Sequence, residues 1–425
     1  MASDKQPVDA AYRAALGINL RHLRALTAVA DAGSIAGAAD GLYRVPSAIT
    51  RSISELERAL GRRLFERRSR GMALNDYGRL VQVRACRIEG EFDEARNQLA
   101  ARGGVSAPTK IRSVFASILN GRRLAVMASL VEKRNMLSVG REFGITQPAI
   151  SAALRDLETG LGVALFDRTA RGLFPTPAGE IVVFHFKRVL AELRHIEPDL
   201  AASEGTLQGT IQVGALPLGR TQILPLAIAS LLARHPQLQV ATVESPYDLL
   251  VASLKSGDID FILGALRDPT EATDLLQEAL FEDCISVIVR AGHPLASRRR
   301  IDFEALRRAT WVLSRHGSPS RELLGRVFLE SNQAPPVPAV ETGDLAVLRG
   351  LLLESDMLTA ISAHQLRYEI RDASLVVLNF PLDPTRRKIG LTHRPGAFPP
   401  PGARALIEEI RRVVAQSPDF RAPPK

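Results

Sequence analysis

Cysteine is nearly absent: Cys86 and Cys284 are the two in 425 residues, too few for the disulfide framework that staples small secreted domains. Long apolar runs are missing too, since stretches such as 345–353 are broken by Arg or Glu well short of a bilayer span. The eight histidines show no HxxxH or Cys/His ligand spacing, so no metal site is expected. The C-terminal half lacks a Gly-x-Ser-x-Gly elbow, a P-loop and a dinucleotide fingerprint, so no catalytic residue and no cofactor are assigned. The first twenty residues carry early charges without a continuous apolar core, which argues against a signal peptide. These absences lead to the expectation of a cytoplasmic protein of several domains that does not enter a membrane.

What is present is a skewed charge. The net charge is +9, and residues 1–112 hold 19 Lys/Arg against 12 Asp/Glu. Residues 113–205 hold 11 against 10, and 206–425 hold 25 against 24, so the excess is almost wholly N-terminal. A basic head on a near-neutral body suits phosphate binding, although a solubilising surface has the same charge.

An internal repeat organises the first half. Ala48-Ile49-Thr50 matches Ala149-Ile150-Ser151, Leu64-Phe65-Glu66-Arg67 matches Leu165-Phe166-Asp167-Arg168, and Gly78 matches Gly179, always at an offset of 101 residues. One small unit therefore occurs twice. In it, Leu23, Leu26 and Ala30 recur at helical spacing, as do Leu124, Met127 and Val131. Ser34 is placed to cap a short second helix through Leu42. A third helix spans about 47–60, with Ile49, Ile53, Leu56 and Leu60 inward and Ser47, Thr50, Arg51, Ser54 and Arg58 outward. Hydroxyl and cationic side chains on such a helix suit a major groove. The run from Arg62 through Arg63, Arg67, Arg68 and Arg70 to Gly71 reads as a basic wing for phosphates. A purely structural helical bundle is the competing reading.

The second copy, with Ile145-Thr146-Gln147-Pro148-Ala149-Ile150-Ser151, Leu165-Phe166-Asp167-Arg168, Arg171-Gly172 and Thr176-Pro177-Ala178-Gly179-Glu180, resembles the LysR-type transcriptional regulators. The resemblance runs from about residue 120 to 414, and the extra copy at 20–80 is a departure from it. It implies a DNA-binding regulator that responds to a small-molecule effector. The implied DNA-contacting residues are Ser47, Thr50, Arg51, Arg67 and Arg70 in copy one, and Gln147, Pro148, Ser151, Arg168 and Arg171 in copy two. From residue 44 to 70 copy one has eight Arg against three acids, whereas 145–171 has three against three. Copy one is thus expected to be the stronger electrostatic anchor.

The expected organisation is multidomain. Two all-α winged helix-turn-helix units lie at 18–78 and 119–177. Copy one is followed by a linker helix and hinge (79–112), copy two by a dimerisation helix (178–205). An α/β, two-lobed, periplasmic-binding-protein-like effector domain fills 209–414. Leu80, Val83, Ile88, Phe92, Ala95 and Leu99 form the expected apolar stripe of the first linker, ended by Gly103-Gly104 and Pro108. Ile181, Phe184, Val189, Leu193 and Ile196 are their counterparts in the second, whose helix the resemblance makes an antiparallel contact in a homodimer or homotetramer. RNA polymerase is a further candidate partner.

From Gly209, short strands alternate with helices, which argues for parallel sheets covered on both faces. Ligands of such sheets sit beyond the strand C-termini at helix N-termini, which selects Leu216, Pro217, Leu218, Ala265, Arg267, Ser314, Ser318, Thr342 and Ile361. The Gly264–Arg267 and Ser245–Asp248 stretches resemble the subgroup around galactose-binding-protein and protocatechuate regulators, implying a sugar or an aromatic or organic acid as effector. Cys284 opens an apolar strand and reads as an inert thiol. The alternative is a solute-binding or enzymatic α/β domain, with His316, Ser318 and Asp344 as a paper triad, fused to a structural helical repeat.

Overall fold

A computed structural model describes residues 17–68, 71–102, 120–268, 270 and 272–420 of the chain. The first head contains α1 (Leu20–Ala32), α2 (Ile35–Gly41), α3 (Pro46–Leu60), the hairpin β1 (Phe65–Arg68) and β2 (Gly71–Leu74), and the long α4 (Asp76–Ala101). The second contains α5 (Gly121–Lys133), α6 (Met136–Phe143), α7 (Gln147–Leu161), β3 (Phe166–Thr169), β4 (Gly172–Pro175) and α8 (Pro177–Ser203). Every element of the second head starts 101 residues after its counterpart.

Side chains that cap backbone N–H groups set these starts: Asn19, Ser34 and Asn75 in the first head, and Asn120, Asn135, Thr146 and Thr176 in the second. Val45 cannot cap α3, and Pro46 at its first turn removes one of the N–H groups that would need it. Both third helices stop at a left-handed glycine, Gly61 and Gly162. Gly103, Gly104 and Pro108, expected to end the first linker, lie outside the described residues, but α4 does end just before them at Ala101.

The two long helices pack on one another, and the cores of both heads merge with this seam into one apolar cluster from Ile18 to Leu200. The expected stripe holds for Ile88, Phe92, Ala95 and Leu99 in α4 and for Val189, Leu193 and Ile196 in α8, and departs at the start of each helix. In α4 the buried stripe runs Val81, Ala85, Ile88, Phe92, Ala95 and Leu99, while Val83 is exposed and Leu80 half-buried. In α8 Val182, Phe186, Val189, Leu193, Ile196 and Leu200 are buried and Ile181 and Phe184 are half-buried. The reason is that ionisable side chains share the seam: Arg84 and His185 are fully buried there, and periodicity of apolar residues alone is blind to them.

The remaining elements are β5 (Gly209–Ala215), α9 (Pro217–Thr221), α10 (Ile223–Arg234), β6 (Leu238–Val243), α11 (Tyr247–Ser256), β7 (Phe261–Ala265), β8 (Leu276–Asp283), β9 (Ile285–Arg290), α12 (Phe303–Arg308), β10 (Thr310–Leu313), α13 (Pro319–Glu330), β11 (Val340–Glu341), α14 (Leu345–Glu354), β12 (Met357–Ser362), α15 (Arg367–Arg371), β13 (Leu375–Val377), β14 (Arg387–His393) and α16 (Pro401–Gln416). They build two five-stranded sheets, β6-β5-β7-β14-β8 and β11-β10-β12-β9-β13. Neither is purely parallel. β14 runs antiparallel to β7 and β8, and β9 runs antiparallel to β12 and β13. The chain crosses to the second lobe after β8 and returns through β14, and a strand that re-enters a sheet from the other lobe meets it reversed.

Candidate nucleic-acid interface and effector site

Helix α3 buries Ile49, Ile53, Leu56 and Leu60, which leaves Ser47, Thr50, Arg51, Ser54 and Arg58 exposed on the other side. Thr50 Oγ1 donates to the Pro46 carbonyl at 3.1 Å, so its hydrogen is engaged within the helix and its oxygen is left as an acceptor. Arg51 Nε donates to Glu55 at 2.7 Å on an open surface, where such a pair is weak and easily exchanged for a phosphate. The Arg51 contact also holds the Glu55 carboxyl below its usual range. In α7, Ile150, Leu154, Leu157 and Leu161 are buried and Gln147 and Pro148 are exposed. Ser151 is half-buried, its hydroxyl 3.4 Å from Met136 Sδ.

Each outward helix is tied to its wing by one carboxylate. Glu57 Oε1 accepts from the Leu64 N–H at 2.8 Å, and Glu158 Oε1 accepts from that of Leu165 at 2.7 Å. The long helix is fixed on the same strand entry by a glycine: a Cβ at Gly78 would lie 2.1 Å from the Leu64 carbonyl oxygen, and one at Gly179 1.9 Å from that of Leu165. Arg67, Arg168 and Arg171 stand exposed on the wings, while Arg70 lies outside the described residues. Arg62, grouped by sequence with the basic wing, turns away from it. Its guanidinium meets Glu197, in the last turns of α8, at 3.1 Å and Glu204, the residue that ends this helix, at 2.7 Å.

The expected effector residues divide by burial. Leu216, Leu218 and Ile361 have core side chains, the first two in the first lobe and Ile361 in the second, so they can offer a ligand backbone groups alone. Pro217 is exposed, and Ala265, Ser314, Ser318 and Thr342 are half-buried. Thr342 Oγ1 is engaged by the Asp344 N–H at 3.1 Å, and the Ser314 hydroxyl lies 3.3 Å from that of Ser320. The Ser318 hydroxyl, at the start of α13, is buried without a hydrogen-bond partner. The guanidinium carbon of Arg267 lies over the Tyr247 ring, 4.2 Å from its centroid, with the Arg267 backbone pinned on both sides by Gln277.

The lobes are joined by polar contacts that sequence reading missed. Asp283 accepts from Ser362 Oγ of the second lobe at 2.7 Å and is held by Arg387, its neighbour on β14 of the same sheet, at 3.2 Å; Thr385 Oγ1, at the return crossing, accepts from the Ile285 N–H at 3.1 Å. Thr221 Oγ1 reaches the His364 carbonyl at 3.4 Å, and the neighbouring Gln222 buries an Oε1 without a partner. Isolated polar residues at element ends carry no periodic signal, which is why they escaped. Burial beside Asp283 raises the Cys284 thiol above its usual value, the chemistry of an unreactive side chain. An open groove of about 460 Å³ lies elsewhere, on the second lobe among His293, Asp302, Arg308 and Asp356. Among the described residues no cluster of His, Cys, Asp and Glu could hold a metal ion, and no helix is long and apolar enough to cross a membrane.

Comparison with known proteins places these parts. Residues 20–79 and 122–180 each match the bacterial regulatory helix-turn-helix protein, lysR family, and residues 204–415 match the LysR substrate binding domain. The chain is 46% identical over 398 residues to the HTH-type transcriptional regulator GalR of Pseudomonas putida, covering 94% of this chain and 98% of that protein. A match of that length takes in both heads. The HTH-type transcriptional regulator PcaQ of Agrobacterium fabrum is 28% identical over 71% of this chain and 96% of its own. Among solved structures, a variant of full-length OxyR from Pseudomonas aeruginosa matches with a TM-score of 0.53 at 23% identity, over 68% of this chain and 96% of that one.

Proposed function

The chain belongs to the LysR family of bacterial DNA-binding transcriptional regulators, and from that premise we propose that both of its recognition helices, α3 and α7, enter DNA grooves. Ser47, Thr50 and Arg51 read bases from the first and Gln147, Pro148 and Ser151 from the second. Arg67 and Arg70 grip phosphates beside the first helix, and Arg168 and Arg171 beside the second. The observation that carries this reading is the division of each third helix into a buried apolar row and an exposed polar row beside its wing. A footprint on the DNA upstream of its own gene tests it, run with Thr50→Ala/Arg51→Ala and Gln147→Ala/Ser151→Ala. Each pair should weaken a different part of the protection; if one pair has no effect, that head does not read DNA.

The effector domain is assigned a sugar or an aromatic or organic acid, bound between the lobes with Arg267 on the carboxylate and Ser318 donating to a polar group. Arg267 stacked on Tyr247 is a preorganised cation, which favours the acid. Calorimetric titration with hydroxybenzoates and hexoses checks this. Arg267→Ala should weaken an acid by roughly tenfold to a hundredfold, the effect of one hydrogen bond to a charged group. Unchanged affinity would remove Arg267 from the site. The protein acts in the cytoplasm as a regulator without catalysis of its own, assembles as a homodimer or homotetramer, and RNA polymerase is the partner through which it would act.

A further inference from the structure

The seam between α4 and α8 has the form of a two-fold interface, but within one chain. Arg84 meets Glu192 at 2.7 Å, and the residues 101 positions away in the opposite sense, His185 and Glu91, meet at 2.8 Å. Arg87 also reaches Glu192 at 2.8 Å, and its counterpart Arg188 reaches Glu91 at 2.6 Å. An isolated backbone bridge between the heads joins Asn19 to Asn120, again equivalent residues, which puts the local axis between them. Reciprocal contacts of this kind, i with j and the equivalent of j with the equivalent of i, define an isologous pairing. The pairing uses up the apolar stripe of both helices, with Phe92 edge-on to Phe186 at 6.5 Å.

Departures from the symmetry gather where DNA would be read. Arg51 faces outward where the second head has Ala152, Ser54 where it has Arg155, Arg58 where it has Thr159, and Ser47 where it has Pro148. Tyr43 is 97% exposed at a left-handed turn (φ 52) just before α3, where the second head has Gly144. The two ion pairs nearest the axis are reciprocal, although Arg84 stands where the second head has His185 and its bond to Asp199 has no counterpart; the outward faces share still less.

We propose that one chain is a complete two-headed reader whose heads recognise two inverted half-sites of different sequence, so that each chain binds its pair of half-sites in one orientation. The proposal rests on the DNA-binding reading above. Two heads related by a local two-fold match the dyad of B-DNA, which makes the half-sites inverted. Unlike reading faces make their sequences different, and the half-site under α3 sits against the more basic head.

Selection of bound sequences from a random duplex library with the full-length chain tests this. The expected product is a pair of unlike half-sites at fixed spacing, in which Arg51→Ala relaxes the preference in one half and Gln147→Ala in the other. Probes made perfectly palindromic from either half should bind at least tenfold more weakly than the natural pair. Enrichment of pairs whose two half-sites are identical, or of a single half-site, would overturn the proposal while leaving DNA reading intact. Enrichment of nothing, with no binding to any duplex, would overturn the DNA-binding reading itself.

Discussion

Replacing Arg84 by alanine tests whether the seam is as described. The guanidinium is completely buried, and it donates to Glu192 at 2.7 Å, to Asp199 at 2.7 Å and to the Phe398 carbonyl at 2.8 Å. Its removal leaves two carboxylates, each about 5% exposed or less, with a large part of their compensation gone. Breaking such a buried pair costs about 3–5 kcal/mol. For a head region of this size that is a fall of about 6–20 °C in the unfolding midpoint, read by calorimetry of the full chain. Arg84→Met, which keeps most of the volume, should fall nearly as far, because charge rather than packing dominates. The pH dependence carries the sign. Burial pushes the Glu192 carboxyl up, but Arg84 and then Arg87 more than reverse this and hold it below its ordinary 4.5. In the wild type this contribution is present above the unfolded value and is lost as pH falls through the folded one. Without Arg84 burial weighs more, the carboxyl rises, and protonation relieves the variant first. The gap between wild type and variant should therefore narrow between pH 7 and about pH 4.5. A deficit under about 1 kcal/mol, or one that does not change with pH, would refute an intramolecular seam built on this ion cluster.

Two further substitutions have opposite signs expected from the same residue type. Gly179→Ala puts a Cβ 1.9 Å from a backbone oxygen and should destabilise by about 2 kcal/mol, whereas Gly90→Ala, with nothing within 4 Å on an exposed helix face, should stabilise by up to about 1 kcal/mol. Equal midpoints for the two would show that the close approach at the α8 start is not real. The salt dependence of DNA affinity separates exposed from engaged arginines. Arg67→Ala should lower the slope of log K against log salt by about 0.9, and Arg62→Ala, whose cation is already spent on Glu197 and Glu204, should leave it alone. A slope that falls for Arg62→Ala as well would mean that this residue swings out to the phosphates.

The heads were legible almost to the residue because a repeat and helical periodicity state the same thing twice. The inward rows Ile49/Ile53/Leu56/Leu60 and the Ser34 cap are legible in the sequence alone, and so is the family. Three features were hidden for physical reasons. Arg84 and His185 lie in a seam that apolar periodicity reports as a gap, so the first turns of the α4 stripe were placed on Leu80 and Val83 rather than on Val81 and Ala85, while Ile88, Phe92, Ala95 and Leu99 were placed correctly. The basic run after Gly61 looked uniform, although Arg62 belongs to α8 through Glu197 and Glu204, acids more than 130 positions away. The alternation of short strands with helices in the effector domain was legible, but β14 and β9 reverse direction because of lobe crossing, a non-local fact with no local sequence mark. The choice of ligand residues suffered likewise: Leu216, Leu218 and Ile361 lie where the helix N-terminus rule points, yet alternate inward.

Joining the heads covalently changes what the seam must do. Between separate chains, a two-fold interface has to survive dilution, and both half-sites are read by identical side chains because one gene encodes both. Within one chain the partner head is present at an effective concentration of order millimolar, so pairing persists at any protein level. The interface can then tolerate an imperfect match such as Arg84 opposite His185, and substitution in one reading face leaves the other untouched. The asymmetry of Arg51 against Ala152 and of Tyr43 against Gly144 is the physical outcome that such a tether permits. The effector domain leans on the same seam unequally. Phe398 lies under Arg84 at 4.5 Å, and Lys187 of α8 meets Asp258 at 2.9 Å. One domain contacts both long helices through different residues, so a shift of that domain acts on two unlike heads at once, and its effect on the two half-sites need not be the same.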